Sequence, residues 1–461
     1  MAEAAPVAEA ALAAARPART FFGEPPALGF LAFTEAWERF SFYGMTSLLV
    51  LYMTQALLLP AHAGHIAGFA AYRGALESVF GRMSTLALAS QTYGLYTGFV
   101  YFTPLIGGWI ADRVTGRRNA VVAGALLMSG GHIAMAFDQS FLLALVLLIT
   151  GCGLLKGNIS TQVGQLYGEN DAQGRTRGFS IFSMAINVGA VTGPLTCGLL
   201  AQVYGWHVGF GLAGVLMLLA LATYLLGYRY LNDSARGTAA IHDTAPLAPA
   251  QKRALAALIV VMAVTIPQSI AFYQNSNIGL IWINAHVNLM AGSFHMPAAW
   301  FGTAMDSFIS IACVPFLFAL WRWQARHGGE PGEIAKIAIG AALSACANLV
   351  LAASALLFDP APALSPMLYE VFQGVAFIWQ WPTLLALVSR VAPQRLKSTM
   401  MGAAFLTLFV SNMSIGRIGA LYEHVGPAEF WLLNAAIAAA GALAAFALRR
   451  PLGRIFAEAT R

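Results

Sequence analysis

Long apolar runs alternate with short polar stretches along almost the whole chain. A spanning helix needs ~20 mainly apolar residues. On that measure the pattern predicts twelve helices, at 28–57, 86–111, 119–137, 141–166, 177–203, 207–229, 254–285, 298–322, 334–357, 366–391, 398–421 and 430–449. The polar connections alternate in character. Arg113, Arg117 and Arg118, then Arg175 and Arg177, Arg322 and Arg326, Arg390, Arg395 and Lys397, and finally Arg449, Arg450 and Arg454 share one side with both chain ends. The other side holds Asp138, Asp359, Glu423, Glu429 and several histidines, with Arg73 and Arg82 against the trend. Short basic connections face the cytoplasm, so both termini are expected in the cytosol, beneath a bacterial-type inner membrane.

Composition excludes a soluble domain. The 461 residues are 58% hydrophobic and 10% charged, with mean hydropathy +0.67, whereas soluble domains carry about 25% charged residues. The net charge of +6 sits in the connections, so no nucleic-acid partner is expected. Cys152, Cys197, Cys313 and Cys346 lie inside apolar runs without metal-ligand or disulfide spacing, and small-residue packing is their expected role. No phosphate-binding G-x-x-x-x-G-K stretch occurs. An enzyme needs a nucleophile with its base, or a metal set, at one depth; His132 is the main histidine inside a span and no such set assembles. No enzyme activity and no cofactor are expected.

The longest connection on the cytosolic side, "YRYLNDSARGTAAIHDTAPLAPAQKR" (228–253), is polar and Ala/Pro-rich. It divides the chain into a disordered tail at 1–25, a six-helix half at 26–229, a linker at 230–253, a second half at 254–450 and a tail at 451–461. Two six-helix halves around a cavity resemble major-facilitator transporters. So does "GGWIADRVTGRRNA" (107–120), where Gly108 is expected to let helices approach and Asp112 with Arg113 to latch the halves. The linker is too short and polar for two further spans, so twelve are expected.

One predicted helix breaks the apolar rule. Glu35, Glu38, Arg39, Phe42, Tyr43 and Thr46 share a face of the first span, because positions three and four apart are neighbours on a helix. Each ionisable group near a bilayer centre costs roughly 2.5–3.5 kcal/mol on insertion scales. At 1.5 Å per residue Arg39 lies about 16 Å from the cytosolic face, and Lys156 in "GCGLLKGNISTQVG" (151–164) lies at a similar depth. Level cations and acids on different helices can pair across a cavity and couple their proton affinities. Buried ion pairs that merely fix packing are the plain alternative.

These residues resemble a known family. Glu35-x-x-Glu38-Arg39-Phe40-x-x-Tyr43-Gly44 is similar to the ExxERF signature of proton-dependent oligopeptide transporters. "VYFTPLIGGWIADR" (100–113), "LLKGNISTQVGQLY" (154–167) and "GFSIFSMAINVGAVTGP" (178–194) are similar to its other N-terminal motifs, with Ser183 where Tyr is common. The resemblance implies a proton-coupling cluster of Glu35, Glu38 and Arg39, with Lys156 as salt-bridge partner and substrate contact. It also implies that Tyr43, Tyr101 and Asn187 line the peptide site. Phe42 and Thr46 stand where the family has Tyr and Arg.

The second half departs further. Phe272-Tyr273-Gln274, followed by Asn275 and Asn277, replaces Phe-Glu-Gln. "GVAFIWQWP" (374–382) carries no acid where the family has Gly-Glu-Leu before Pro, and Glu370, about three turns earlier, is expected at the outer rim. Ala404 precedes Phe405 where an aromatic is usual. Asp306 stands where Asn is usual: either it supplies the missing negative charge from a different wall, or the substrate lacks a simple α-amino group. Gln274, Asn277, Asp306, Trp379 and Gln380, with Trp381 nearby, complete the expected pocket. Two functions stay open: a proton-coupled symporter importing di-/tripeptides or peptide-like compounds, and a proton-coupled importer or exporter of a non-peptide metabolite or drug-like compound. Partners are then protons, a small molecule and the lipid bilayer, with the chain a monomer powered by the proton gradient.

Overall fold

The computed structural model describes residues 20–168, 171–231, 247–327, 329–393 and 396–459. It is built almost wholly from long helices. They are α1 (Pro26–Tyr52), α2 (Thr85–Ile110), α3 (Arg117–Ala134), α4 (Phe141–Gln165), α5 (Ala172–Tyr204), α6 (Trp206–Gly227), α7 (Pro249–Tyr273), α8 (Thr303–Arg326), α9 (Glu333–Leu357), α10 (Leu364–Val391), α11 (Lys397–Gly419) and α12 (Pro427–Ala459). Among the described residues nine helices, α4 to α12, are long and apolar enough to cross a membrane. α1 matches them in length but carries Glu35, Glu38 and Arg39 in its interior.

Helices α1 to α6 pack on one another, as do α7 to α12, and the main contacts between the two sets are α2 on α11 and α5 on α8. The chain enters α1 and leaves α12 at the same end of the bundle, here the termini face. The distribution of the core differs between the two ends. One apolar cluster runs through α1 to α6 and continues into the far ends of the second set, through Trp282, Phe301, Tyr369, Ile415 and Trp431. At the termini face the second set has a separate cluster, around Leu258, Ile337, Leu387, Ala404 and Leu452. The sets are therefore fused at the far face and keep separate cores at the termini face.

Close helix contact in α1–α5 comes from Gly189 and Gly193, four residues apart on α5. A Cβ at Gly189 would lie 2.5 Å from the Ala36 carbonyl oxygen, and one at Gly193 would strike the Phe40 carbonyl. Small residues at this spacing let backbones approach in a medium that supplies no hydrophobic drive. The α2–α4 contact works the same way through Gly107, whose absent Cβ leaves room for the Gly153 backbone. Gly108, expected to serve that purpose, faces open space.

Several expected boundaries shift. Phe21 and Glu24 exchange backbone hydrogen bonds of 3.0 Å, and Glu24 pairs with Arg177 at 2.6 Å, so the last part of the expected tail is anchored; its residues 1–19 lie outside the described residues. α12 continues to Ala459 through the tail expected from 451, because Leu452 and Phe456 extend its buried face. Of the expected linker, residues 232–246 lie outside the described residues, and α7 already starts at Pro249. The seventh span is broken: after α7 come a π-helical turn, Asn275–Gly279, and a short helix, Leu280–His286. Beyond it, Val287–Asn288 pairs in parallel with Ala361–Pro362, and Met290–Ala291 folds back on Phe294–His295. Gly292, at φ 64°, makes that reversal.

Candidate functional site

The centre of the first helix set is charged. Arg39, 1% exposed, donates from Nη2 to Glu38 Oε1 at 2.6 Å and from Nε to Glu38 Oε2. The same Nε lies 3.1 Å from Glu35 Oε1. One turn of α1 thus brings two carboxylates onto one guanidinium: the spacing of four delivers Glu35, while Glu38, the residue before Arg39, meets it through the bend of the two side chains. The acids differ in completeness. Both oxygens of Glu38 are bonded by Arg39, whereas Glu35 Oε2 is buried without a hydrogen-bond partner. Above the guanidinium sit the rings of Phe42 and Tyr43, with centroids 5.1 and 5.8 Å from Cζ.

Lys156 on α4 reaches the same region, where Glu35 and Glu38 feel its charge. Among the described residues no carboxylate lies within ion-pair distance of it, so the expected salt bridge is open in this conformation. Its Nζ instead lies 4.8 Å from the centre of the Tyr101 ring. The Tyr101 hydroxyl is 3.0 Å from that of Tyr273 on α7, a hydrogen bond that joins the two helix sets at mid-depth. Tyr43, Tyr101, Lys156, Asn187, Tyr273 and Asp306 all keep partly exposed surface.

The expected residues of the second set divide. Gln274 and Asn277 are fully buried in the far-face seam. Gln274 donates to the Ile415 carbonyl at 3.1 Å, and Asn277 donates to Ser90 Oγ of α2 at 2.7 Å. Trp379 packs against Trp321, with ring centroids 5.7 Å apart, and Gln380 donates to the Thr265 carbonyl at 3.0 Å. These four side chains are structural partners in this conformation. Asp112 pairs with Arg117 at 2.9 Å and Arg113 lies over Trp109, so neither bridges the two sets here.

Glu370 corrects the expectation of a rim position. It is 0% exposed, and neither carboxylate oxygen has a hydrogen-bond partner. Counting turns from Pro382 missed what covers this end of α10. Trp282, Tyr369, Phe430 and Trp431, each at most 1% exposed, form a lid of aromatic rings, braced by the Val287–Ala361 strand pair. The Asn275 amide is turned toward Glu370, and Asp306 stands on the neighbouring helix, where the Ser310 hydroxyl of α8 lies 3.4 Å from the Gly374 carbonyl of α10, four residues beyond each acid. The signal that could have found it was the acid itself, since an ionisable group within an apolar span marks a site by default.

The seam at the far face is tied by side chains from both sets. Besides Asn277 to Ser90, Ser84 donates to Glu423. Gln202 donates to the His295 carbonyl at 2.7 Å, and Trp300 to the Leu195 carbonyl at 2.9 Å.

Known proteins share the family and the fold of this chain. The chain is 26% identical over 513 aligned residues to a di-/tripeptide transporter of Lactococcus lactis subsp. cremoris, covering 95% of this chain and 98% of that one. It is 28% identical over 471 residues to the uncharacterized transporter YclF of Bacillus subtilis (strain 168), covering 89% and 90%. The fold superposes on a crystal structure of the peptide transporter POT in complex with sulfate, with TM-score 0.82, 24% identity and coverage of 97% and 99%. A POT family transporter in complex with 5-aminolevulinic acid gives TM-score 0.80 at 23% identity, covering 95% and 98%. The model of the POT family matches residues 118–247 and 241–432, and with more than half its length so matched, the chain belongs to the POT family of multi-pass membrane transporters.

Proposed function

We propose that the chain is a proton-coupled symporter that imports di-/tripeptides or peptide-like small molecules by alternating access. The observation that carries this reading is the buried Glu35–Glu38–Arg39 cluster, with Lys156 beside it and free of a carboxylate partner among the described residues. Relatives named as di-/tripeptide transporters supply the cargo class.

In this reading twelve helices span a bacterial inner membrane as a monomer, in two halves at 26–229 and 254–450, with no helix pair between them. Both termini lie in the cytosol, as the basic connections favour. The fused far face is then the closed external gate, and the conformation opens toward the cytosol.

Glu35 is the acid that takes the moving proton, because Arg39 saturates Glu38 and leaves Glu35 Oε2 unpartnered. A proton on Glu35 removes one of the two charges held by Arg39 and shifts the balance between Arg39, Lys156 and the pocket. Lys156 offers an ammonium for the carboxylate end of a peptide, with the Tyr101 ring beside it and Tyr43 and Asn187 as further pocket residues. A ligand moves a two-state equilibrium only through differential affinity; here proton and peptide both act on the charges that face the central space.

The test is uptake of labelled dialanine into proteoliposomes under an inward proton gradient. The expected result is gradient-driven uptake that is abolished in Glu38→Gln. Proton movement triggered by other compounds, with none for dialanine, would replace the peptide with another cargo.

A further inference from the structure

The second half contains two acids for which the N-terminal cluster provides nothing. Asp306 on α8 has a buried Oδ1 without a partner, and both oxygens of Glu370 on α10 are in the same state. Among the described residues no Lys, Arg or His lies within ion-pair distance of either. The groups facing them are Asn275 from the π-helical turn after α7, Tyr273 from α7, and Tyr369 and Gln373 on α10. None of these carries a positive charge.

Asn275, 3% exposed, is turned toward Glu370 and its Oδ1 has no partner; Gln373, 0% exposed, donates to Tyr369 at 2.9 Å and leaves its own Oε1 unpartnered. The donors in reach of the two acids are therefore neutral, the Asn275 amide foremost, and none brings a positive charge. Two carboxylates held there with no cation are costly unless a proton joins them. Two neighbouring carboxyl groups meet that need by sharing a proton, as like charges at short range cannot both be kept.

We propose that Asp306 and Glu370 form a second proton-binding site, in the C-terminal half, which holds one exchangeable proton between two carboxyl groups. The site communicates with the first. The Ser276 and Thr303 hydroxyls lie 3.4 Å apart, three residues from Tyr273 and from Asp306 respectively, the Tyr273 hydroxyl meets that of Tyr101 at 3.0 Å, and the Tyr101 ring centre lies 4.8 Å from Lys156 Nζ. A charge change at either acid group is thus felt by the hydroxyl pair that bridges the two halves. The consequence for transport, which rests on the symporter reading above, is one more proton moved per substrate than the Glu35 site alone provides.

Two measurements on the full-length protein separate this claim from that reading. Infrared difference spectra of the reconstituted protein, recorded across a pH step without any substrate, report protonated carboxyl groups directly. A carboxyl band that persists in Glu35→Gln and disappears in both Asp306→Asn and Glu370→Gln is expected; the same band surviving in both variants overturns the proposal. Wild-type protein that moves no dialanine would sink the transport reading and leave the spectra untouched.

The second measurement is the proton-to-dialanine ratio from uptake at balanced driving forces. It should fall by one in Asp306→Asn and return in Asp306→Glu. A ratio unchanged in Asp306→Asn contradicts the proposal. So does loss of dialanine counterflow with the infrared band retained, because the pair would then hold the substrate's ammonium and not a proton.

Discussion

The two halves hold acids under opposite conditions. In the first, Glu35 and Glu38 share Arg39, and all three lie within one stretch of α1, residues 35–39. In the second, Asp306 and Glu370 come from different helices and meet no cation among the described residues. The first arrangement is internally compensated and stores its charge at one helix. The second is incomplete and depends on how α8, α10 and the turn after α7 are assembled. Coupling on one side is therefore a local property of a short motif, whereas on the other it is a property of packing.

The largest test of this contrast is Glu38→Gln. Removing one partner of a buried pair costs about 3–5 kcal/mol, since it leaves a charge uncompensated. A marked fall in melting temperature together with loss of uptake is expected; Asp306→Asn, which removes an acid lacking any ion-pair partner among the described residues, should leave the melting temperature unchanged or higher. Calorimetry or a thermal-shift scan reads both, and equal losses would erase the distinction.

A second prediction concerns how the first half is held rigid. Gly107→Ala drives a Cβ into the Gly153 backbone and should destabilise by about 1–3 kcal/mol, the usual range for overpacking. Gly108→Ala points into open space and should be neutral in the same scan. A smaller effect is expected at the seam. Asn277→Ala removes a buried hydrogen bond to Ser90, and a neutral bond contributes about 0.5–1.5 kcal/mol. The population closed at the far face should drop by roughly 2- to 12-fold relative to open forms, measurable by distances between spin labels on α2 and α11.

The smallest effect lies outside the membrane, where an ordinary exposed pair serves as the control for the buried ones. Glu77, in the helix Phe69–Phe80, is held below the usual carboxylate range, first by the Arg73 hydrogen bond of 2.9 Å and then by the Met83 amide. A depressed acid stabilises above its ordinary value of about 4.3 and loses that contribution as pH falls through its lowered value. Amide exchange in 69–83 should quicken only in that acid range, and Glu77→Gln should remove the pH dependence.

How far the sequence disclosed this site depended on whether geometry was local. The α1 stripe needed only helical periodicity, which pairs Glu35 with Arg39 at a spacing of four; that the adjacent Glu38 takes both bonds of the guanidinium was not legible from spacing. The approach of α5 was visible in Gly189 and Gly193 only once the partner backbone was known. Gln274 and Asn277 looked like pocket residues because they are polar within a span. The π-helical turn at Asn275–Gly279 adds a residue to the turn and rotates the side chains beyond it, which brings Asn277 to Ser90 in the seam. Glu370 looked peripheral because helix counting knows nothing of Trp282 and Trp431, rings supplied by segments some 60 to 90 residues away.

The most direct test of the central claim compares wild type with Glu35→Gln in the same proteoliposomes, measuring dialanine accumulation under an inward proton gradient and dialanine counterflow without one. The account predicts that wild type does both, while Glu35→Gln exchanges dialanine yet accumulates none, since binding and gating survive and the proton site does not. Accumulation by Glu35→Gln at the wild-type level would contradict it and move the coupling proton away from α1.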